Sequence, residues 1–87
     1  MKSADELDYV YGEAKKLLVK REEDYQGSWR EEGLICLVGS LYKKASQIRT
    51  MLENGRLRKN KTRSKEDLLD SINYAIFCYR LLDKEDE

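Results

Sequence analysis

An all-α fold is what this sequence predicts, on three observations. Its 87 residues contain no proline. No stretch alternates apolar and polar residues as a half-buried strand does. Three long segments instead repeat apolar residues every three or four positions, the spacing of one helix face. The expected architecture is a three-helix chain forming a single domain over 1–87, a helical bundle completed by oligomerisation.

The first helix should start at Ser3, where Glu6 three residues on makes a capping box, and run to about Glu23. Leu7, Val10, Tyr11, Ala14, Leu17 and Leu18 form its apolar stripe. Gln26-Gly27-Ser28 breaks it. The second helix opens at Ser28 or Gly33. Leu34, Val38, Leu41, Ala45, Ile48 and Leu52 follow at alternating spacings of four and three, a heptad seam. Asn54-Gly55 suits its C-terminal cap. The third helix should begin near Ser64, with Asp67 in its first turn. Its main apolar stripe is Leu68, Leu69, Ile72, Ala75, Ile76 and Tyr79. Tyr74, Phe77 and Leu81 form a second stripe on the far side. One chain of three helices does not cover both, so the second stripe is expected to meet another chain.

Composition narrows the function. Charged residues make up 39% of the chain and net charge is zero, so bulk attraction to nucleic acid is not indicated and no specific nucleic-acid partner is expected. Charge is segregated all the same: the loop at 55–64 is basic and the tail at 83–87 acidic. With no histidine, imidazole serves neither as base nor as ligand. Cys36 and Cys78 fit no zinc or redox spacing and are expected to be buried thiols, as in a reducing cytoplasm. No run is long and apolar enough to span a membrane. There is no glycine-rich phosphate loop either.

Asp67, Asp70 and Asn73 recur every third residue and make a slanting polar row on the last helix. Capping and the helix dipole explain an acid in a first turn, but not Asp70 and Asn73 further in. Hard oxygen ligands next to a loop carrying Arg56, Arg58, Lys59, Lys61 and Arg63 suit a Mg²⁺-bound phosphate ester. A solvated helix beside a basic loop accounts for the same residues without function. Glu31 and Glu32 open the second helix, as part of a cap or as further ligands. Lys44 and Arg49 flank its seam, within reach of phosphates or on an exposed flank. Trp29 either stacks on a base or plugs the end of the bundle.

Asp24-Tyr25-Gln26-Gly27-Ser28-Trp29, Lys44-Ala45-Ser46-Gln47-Ile48-Arg49-Thr50 and Asp67-Leu68-Leu69-Asp70-Ser71-Ile72-Asn73-Tyr74-Ala75-Ile76 resemble the nucleotide modification associated domain family of phage and bacterial proteins. That family looks like a distant branch of the MazG-like, all-α nucleoside triphosphate pyrophosphohydrolases. The resemblance implies a cytoplasmic homodimer or homotetramer, with Mg²⁺-dependent release of pyrophosphate from a nucleotide. Asp67-x-x-Asp70 matches the second acidic pattern of those enzymes with Asp for Glu. Glu31 and Glu32 match part of the first, and Ile35 stands where its third carboxylate would fall. On that reading Asp67, Asp70 and Glu32 hold Mg²⁺, and Glu31 or another carboxylate orients water. Lys44, Arg49 and the basic loop meet the phosphates. Tyr25, Trp29, Asn73 and Tyr74 meet the base or sugar. Binding without turnover, or a helical protein-interaction module, are the alternatives.

Overall fold

The computed structural model describes residues 2–25 and 29–85, excepting the side chains of 23–25. Four helices appear there, not three: α1 (Ser3–Tyr25), α2 (Trp29–Glu32), α3 (Leu34–Glu53) and α4 (Lys61–Glu85). The extra helix comes from Gly33. With φ at 85° it takes a backbone that L side chains rarely adopt, and it splits the expected second helix into a single turn and a long run. Ser28 lies outside the described residues.

The cap at Gly55 forms as expected. Its φ is 69°, the Gly55 N–H donates to the Leu52 carbonyl, and the Arg56 N–H donates to the Met51 carbonyl at 2.8 Å. That pair of bonds is the Schellman pattern. The start of α4 differs. Asn60 Oδ1 accepts from the Arg63 N–H at 3.2 Å, so Asn60 is the cap and α4 begins at Lys61. Ser64 sits a turn inside, buried, its hydroxyl donating to the Leu57 and Asn60 carbonyls. Asp67 therefore lies in the helix body, where capping does not explain it.

α4 is the central element. α1 and α3 both pack on it, while among the described residues their backbones do not meet. Asn73 reaches Ala14 and Asp70 reaches Arg21, so α1 and α4 are antiparallel. Among the described residues Ala14, Leu37, Phe77 and Cys78 are the buried apolar ones, with Leu18, Trp29, Leu34, Tyr74 and Leu81 packed around the last three. Trp29 and Phe77 stack with centroids 4.2 Å apart and planes 7° from parallel, which fixes α2 onto α4.

Two expectations about faces are overturned. Tyr74, Phe77 and Leu81 do not need another chain, because they turn inward against α2, α3 and Leu18 of α1. Much of the main stripe of α4 is exposed instead: Leu68, Ile76 and Tyr79 are 49%, 37% and 67% accessible, while Leu69 and Ile72 are half-buried. On α3 the buried row is rotated by about 60° from the expected seam. Leu37, wholly buried, and Lys44 turn inward, while Val38, Ala45 and Leu52 turn out. The rotation leaves Cys36 exposed, against expectation, and Cys78 buried as expected. A common cause underlies both changes. The inner face of α4 carries carboxylates, and α3 presents its cation to them.

Candidate functional site

The inner face of α4 carries Ser64, Asp67, Asp70 and Asn73, one every third residue, and all four are buried. Buried carboxylates must be paired, and each flanking helix supplies a cation. Arg21 of α1 grips Asp70 with two parallel bonds, Nε to Oδ1 at 2.9 Å and Nη2 to Oδ2 at 3.1 Å. Lys44 of α3 donates to Asp67 Oδ1 at 3.2 Å and stands 3.4 Å from Asp70 Oδ2. Asp67 is only 2% exposed, and its Oδ2 accepts no hydrogen bond among the described residues; Arg63 Nε lies 3.7 Å from it, an ion-pair distance only. Asn73 Nδ2 donates to the Ala14 carbonyl at 3.0 Å, tying α1 to α4 through a buried amide. The polar row is thus the joint between the three long helices.

Because α1 and α3 stand apart across α4, a cleft of about 370 Å³ opens between them. Asp70 and Asn73 lie on its floor, Arg21 and Lys44 on its sides, and Trp29, Tyr74 and Phe77 at its apolar end. Among the described residues its charged lining is two cations, Arg21 and Lys44, against three carboxylates, Glu22, Glu32 and Asp70, a net charge of −1.

The sequence-derived candidates divide accordingly. Glu32, Trp29, Lys44, Asp70, Asn73 and Tyr74 line the cleft. Asp67 lies a turn away, behind Lys44, and does not line it. Glu31 is exposed on α2 and is not part of the lining either. Arg49 is on the outer surface, paired with Glu53 at 2.9 Å, because the rotation of α3 carries it away from α4. No cation of the basic loop lines the cleft. The Tyr25 side chain lies outside the described residues. Trp29 plugs the bundle end. Phe77 stacks on its indole, and the Arg30 guanidinium lies over the ring 4.8 Å from its centroid, so partners within the chain already occupy the ring. Among the described residues Tyr74, half-buried and at right angles to Phe77, is the cleft aromatic left for a flat ligand.

Arg21 was not singled out from sequence, yet a signal was present. It continues the α1 stripe, seven residues after Ala14 and three after Leu18. A cation on an apolar stripe implies a buried anion opposite it. Glu22 and Phe77 were also missed as cleft residues.

The set expected to hold Mg²⁺ does not converge. Both oxygens of Asp70 accept from Arg21, Asp67 is turned to Lys44, and Glu32 is exposed on α2. Among the described residues no three Asp, Glu or Cys side chains come together as a metal ligand set. The described residues as arranged do not make a ligand set for a protein-held divalent ion.

Fold and site together define a small helical protein whose cleft is built on a buried ion-pair network and sized for a small polar ligand. The chain belongs to the nucleotide modification associated domain 1 family, whose model matches residues 21–81. That span takes in Arg21, α2, α3 and most of α4, and so the whole charged part of the cleft. No curated protein and no solved structure matches the chain. No described helix is long and apolar enough to cross a membrane.

Proposed function

We propose that this chain binds a nucleotide in the cleft between α1 and α3. One observation carries the reading. Arg21 and Lys44, from two different helices, are held side by side at a cleft floor that also offers an amide at Asn73 and an aromatic ring at Tyr74. Cations fixed by carboxylates are preorganised for phosphate oxygens, and the amide and ring suit a base or sugar. The family's association with nucleotide modification points to the same ligand class. The cleft's net charge of −1 sets a condition. A bare polyphosphate meets repulsion there, so the ligand is a nucleotide that brings Mg²⁺ as its own counter-ion. The working unit on this reading is a homodimer or homotetramer.

Pyrophosphate release is the second reading. Glu32 and Asp70 line one cleft, so a carboxylate is at hand to orient water beside a bound phosphate. It rests otherwise on the resemblance to MazG-like enzymes.

Calorimetric titration with nucleoside mono- and triphosphates, with and without Mg²⁺, tests both readings when followed by a pyrophosphate assay. The expected result is binding that tightens with Mg²⁺ and weakens roughly five- to a hundredfold in Tyr74→Ala, the range of one lost base stack. Pyrophosphate release that is lost in Glu32→Gln supports the enzyme. Silence with every nucleotide at millimolar concentration overturns the nucleotide reading.

A further inference from the structure

Asn73 has one polar atom left over. Its side chain is only 7% exposed, and its Nδ2 donates to the Ala14 carbonyl at 3.0 Å. A carbonyl only accepts, so the amide nitrogen has to face Ala14 and the oxygen has to face away. Asn73 Oδ1 accepts no hydrogen bond among the described residues. Yet it is not one of the buried side-chain atoms there that lack a partner, which are Gln47 Oε1 and Asp67 Oδ2. It is therefore open to a ligand, and the space that Asn73 borders is the cleft. The joint between α1 and α4 thus turns an amide, a group that both donates and accepts, into a fixed acceptor.

The surrounding lining has the same bias. Glu22 and Glu32 line the cleft as acceptors, and neither is paired among the described residues. Arg21 and Lys44 already donate to Asp70 and Asp67. Tyr74 follows Asn73 directly, and both line the cleft, so a flat group laid on the Tyr74 ring brings its edge toward Asn73. A base has such a face and a sugar does not.

We propose that Asn73 sets the base preference of the cleft, selecting nucleotides whose base carries an exocyclic amino group. This rests on the nucleotide reading above and adds the base to it. In cytosine, adenine or guanine an amino N–H donates to Asn73 Oδ1. Uracil and thymine offer one ring N–H between two carbonyls, and hypoxanthine one beside a single carbonyl. Those carbonyl oxygens meet an acceptor-rich lining, so the amino-lacking base loses a hydrogen bond and gains a repulsion.

Calorimetric titration of the full chain with matched triphosphates in Mg²⁺ tests it: cytidine against uridine, and adenosine and guanosine against inosine. Within each pair the phosphates, sugar and metal are the same. The amino member should bind roughly five- to a hundredfold tighter. In Asn73→Ala that ratio should fall to near unity, whereas a merely structural loss of α1 docking lowers both members together and keeps the ratio. If Asn73→Ala loses helicity, the wild-type ratios decide. Members of every pair that bind the wild-type chain within about twofold of each other overturn the proposal and leave the nucleotide reading standing. So does a ratio that survives in folded Asn73→Ala. Discrimination between cytidine and deoxycytidine triphosphate, with none between cytidine and uridine, puts a sugar hydroxyl at Asn73 and overturns it as well. Silence with every triphosphate overturns both readings.

Discussion

The Arg21–Asp70 pair is the interaction on which both the fold of α1 and the shape of the cleft depend, and its strength can be worked from its geometry. Asp70→Asn keeps the shape of the side chain and removes the charge. Breaking a fully buried pair by deleting one partner costs about 3–5 kcal/mol. Here the Arg21 side chain is 40% exposed and can turn part of its guanidinium to water, so that figure must be reduced. Lys44 keeps Asp67 as a partner after the change. A loss of about 2–3 kcal/mol follows, a large share of the ~5–10 kcal/mol of a domain this size. Arg21 makes further interactions besides the two bonds to Asp70, so Arg21→Met alone overstates the pair. The double-mutant cycle of Asp70→Asn and Arg21→Met isolates it and should give a coupling energy of about 1.5–3 kcal/mol by urea denaturation. Additivity of the two changes within about 0.5 kcal/mol would mean that Arg21 does not hold Asp70 and that the cleft floor is built differently.

Two further outcomes check the local geometry. Gly55→Ala forces an alanine to φ near 69° at the Schellman cap and should cost about 1 kcal/mol or more in thermal unfolding, although open space surrounds its Cβ; an unchanged melting temperature would refute the cap. Cys36 should react with a thiol reagent at the rate of an unprotected thiol, while Cys78 waits for unfolding; equal rates in native protein would place α3 in the wrong rotation.

Sequence patterns located the helices better than their faces. The α1 start at Ser3 was legible, although the Asp5 and Glu6 N–H groups donate to the Lys2 carbonyl and not to the Ser3 hydroxyl; the cap at Gly55 was legible because local chemistry decides it. The α4 start was misplaced by three residues because Asn60 and Ser64 are both capable caps, and only the tertiary fate of Ser64, buried against Leu57, separates them. Faces were harder. Hydropathy assigns Leu68 and Tyr79 to the core, but two cations opposite Asp67 and Asp70 turn the carboxylate face inward and leave those two exposed. The polar row was marked as special by its spacing, and it is the joint of the structure. Arg21, the partner of Asp70, lies 49 residues away along the chain, where no local pattern connects the two. The rotation of α3 about its axis turns Lys44 toward α4 and carries Arg49 to the outer surface, and hydropathy along α3 does not reveal that rotation.

The antiparallel α3–α4 pair is joined by a short, hydrogen-bonded turn and packs more extensively than any other pair of described helices. α1 is attached differently, through Arg21 to Asp70 and through the Ala14 carbonyl to Asn73, with few large apolar residues buried along it. Local opening therefore has a natural first step in which α1 lifts from α4 as a cooperative unit while the hairpin persists. That step removes one wall of the cleft. A ligand held between the two walls draws its affinity from the same free energy that keeps α1 docked, so occupancy of the cleft and amide protection along α1 rise and fall together.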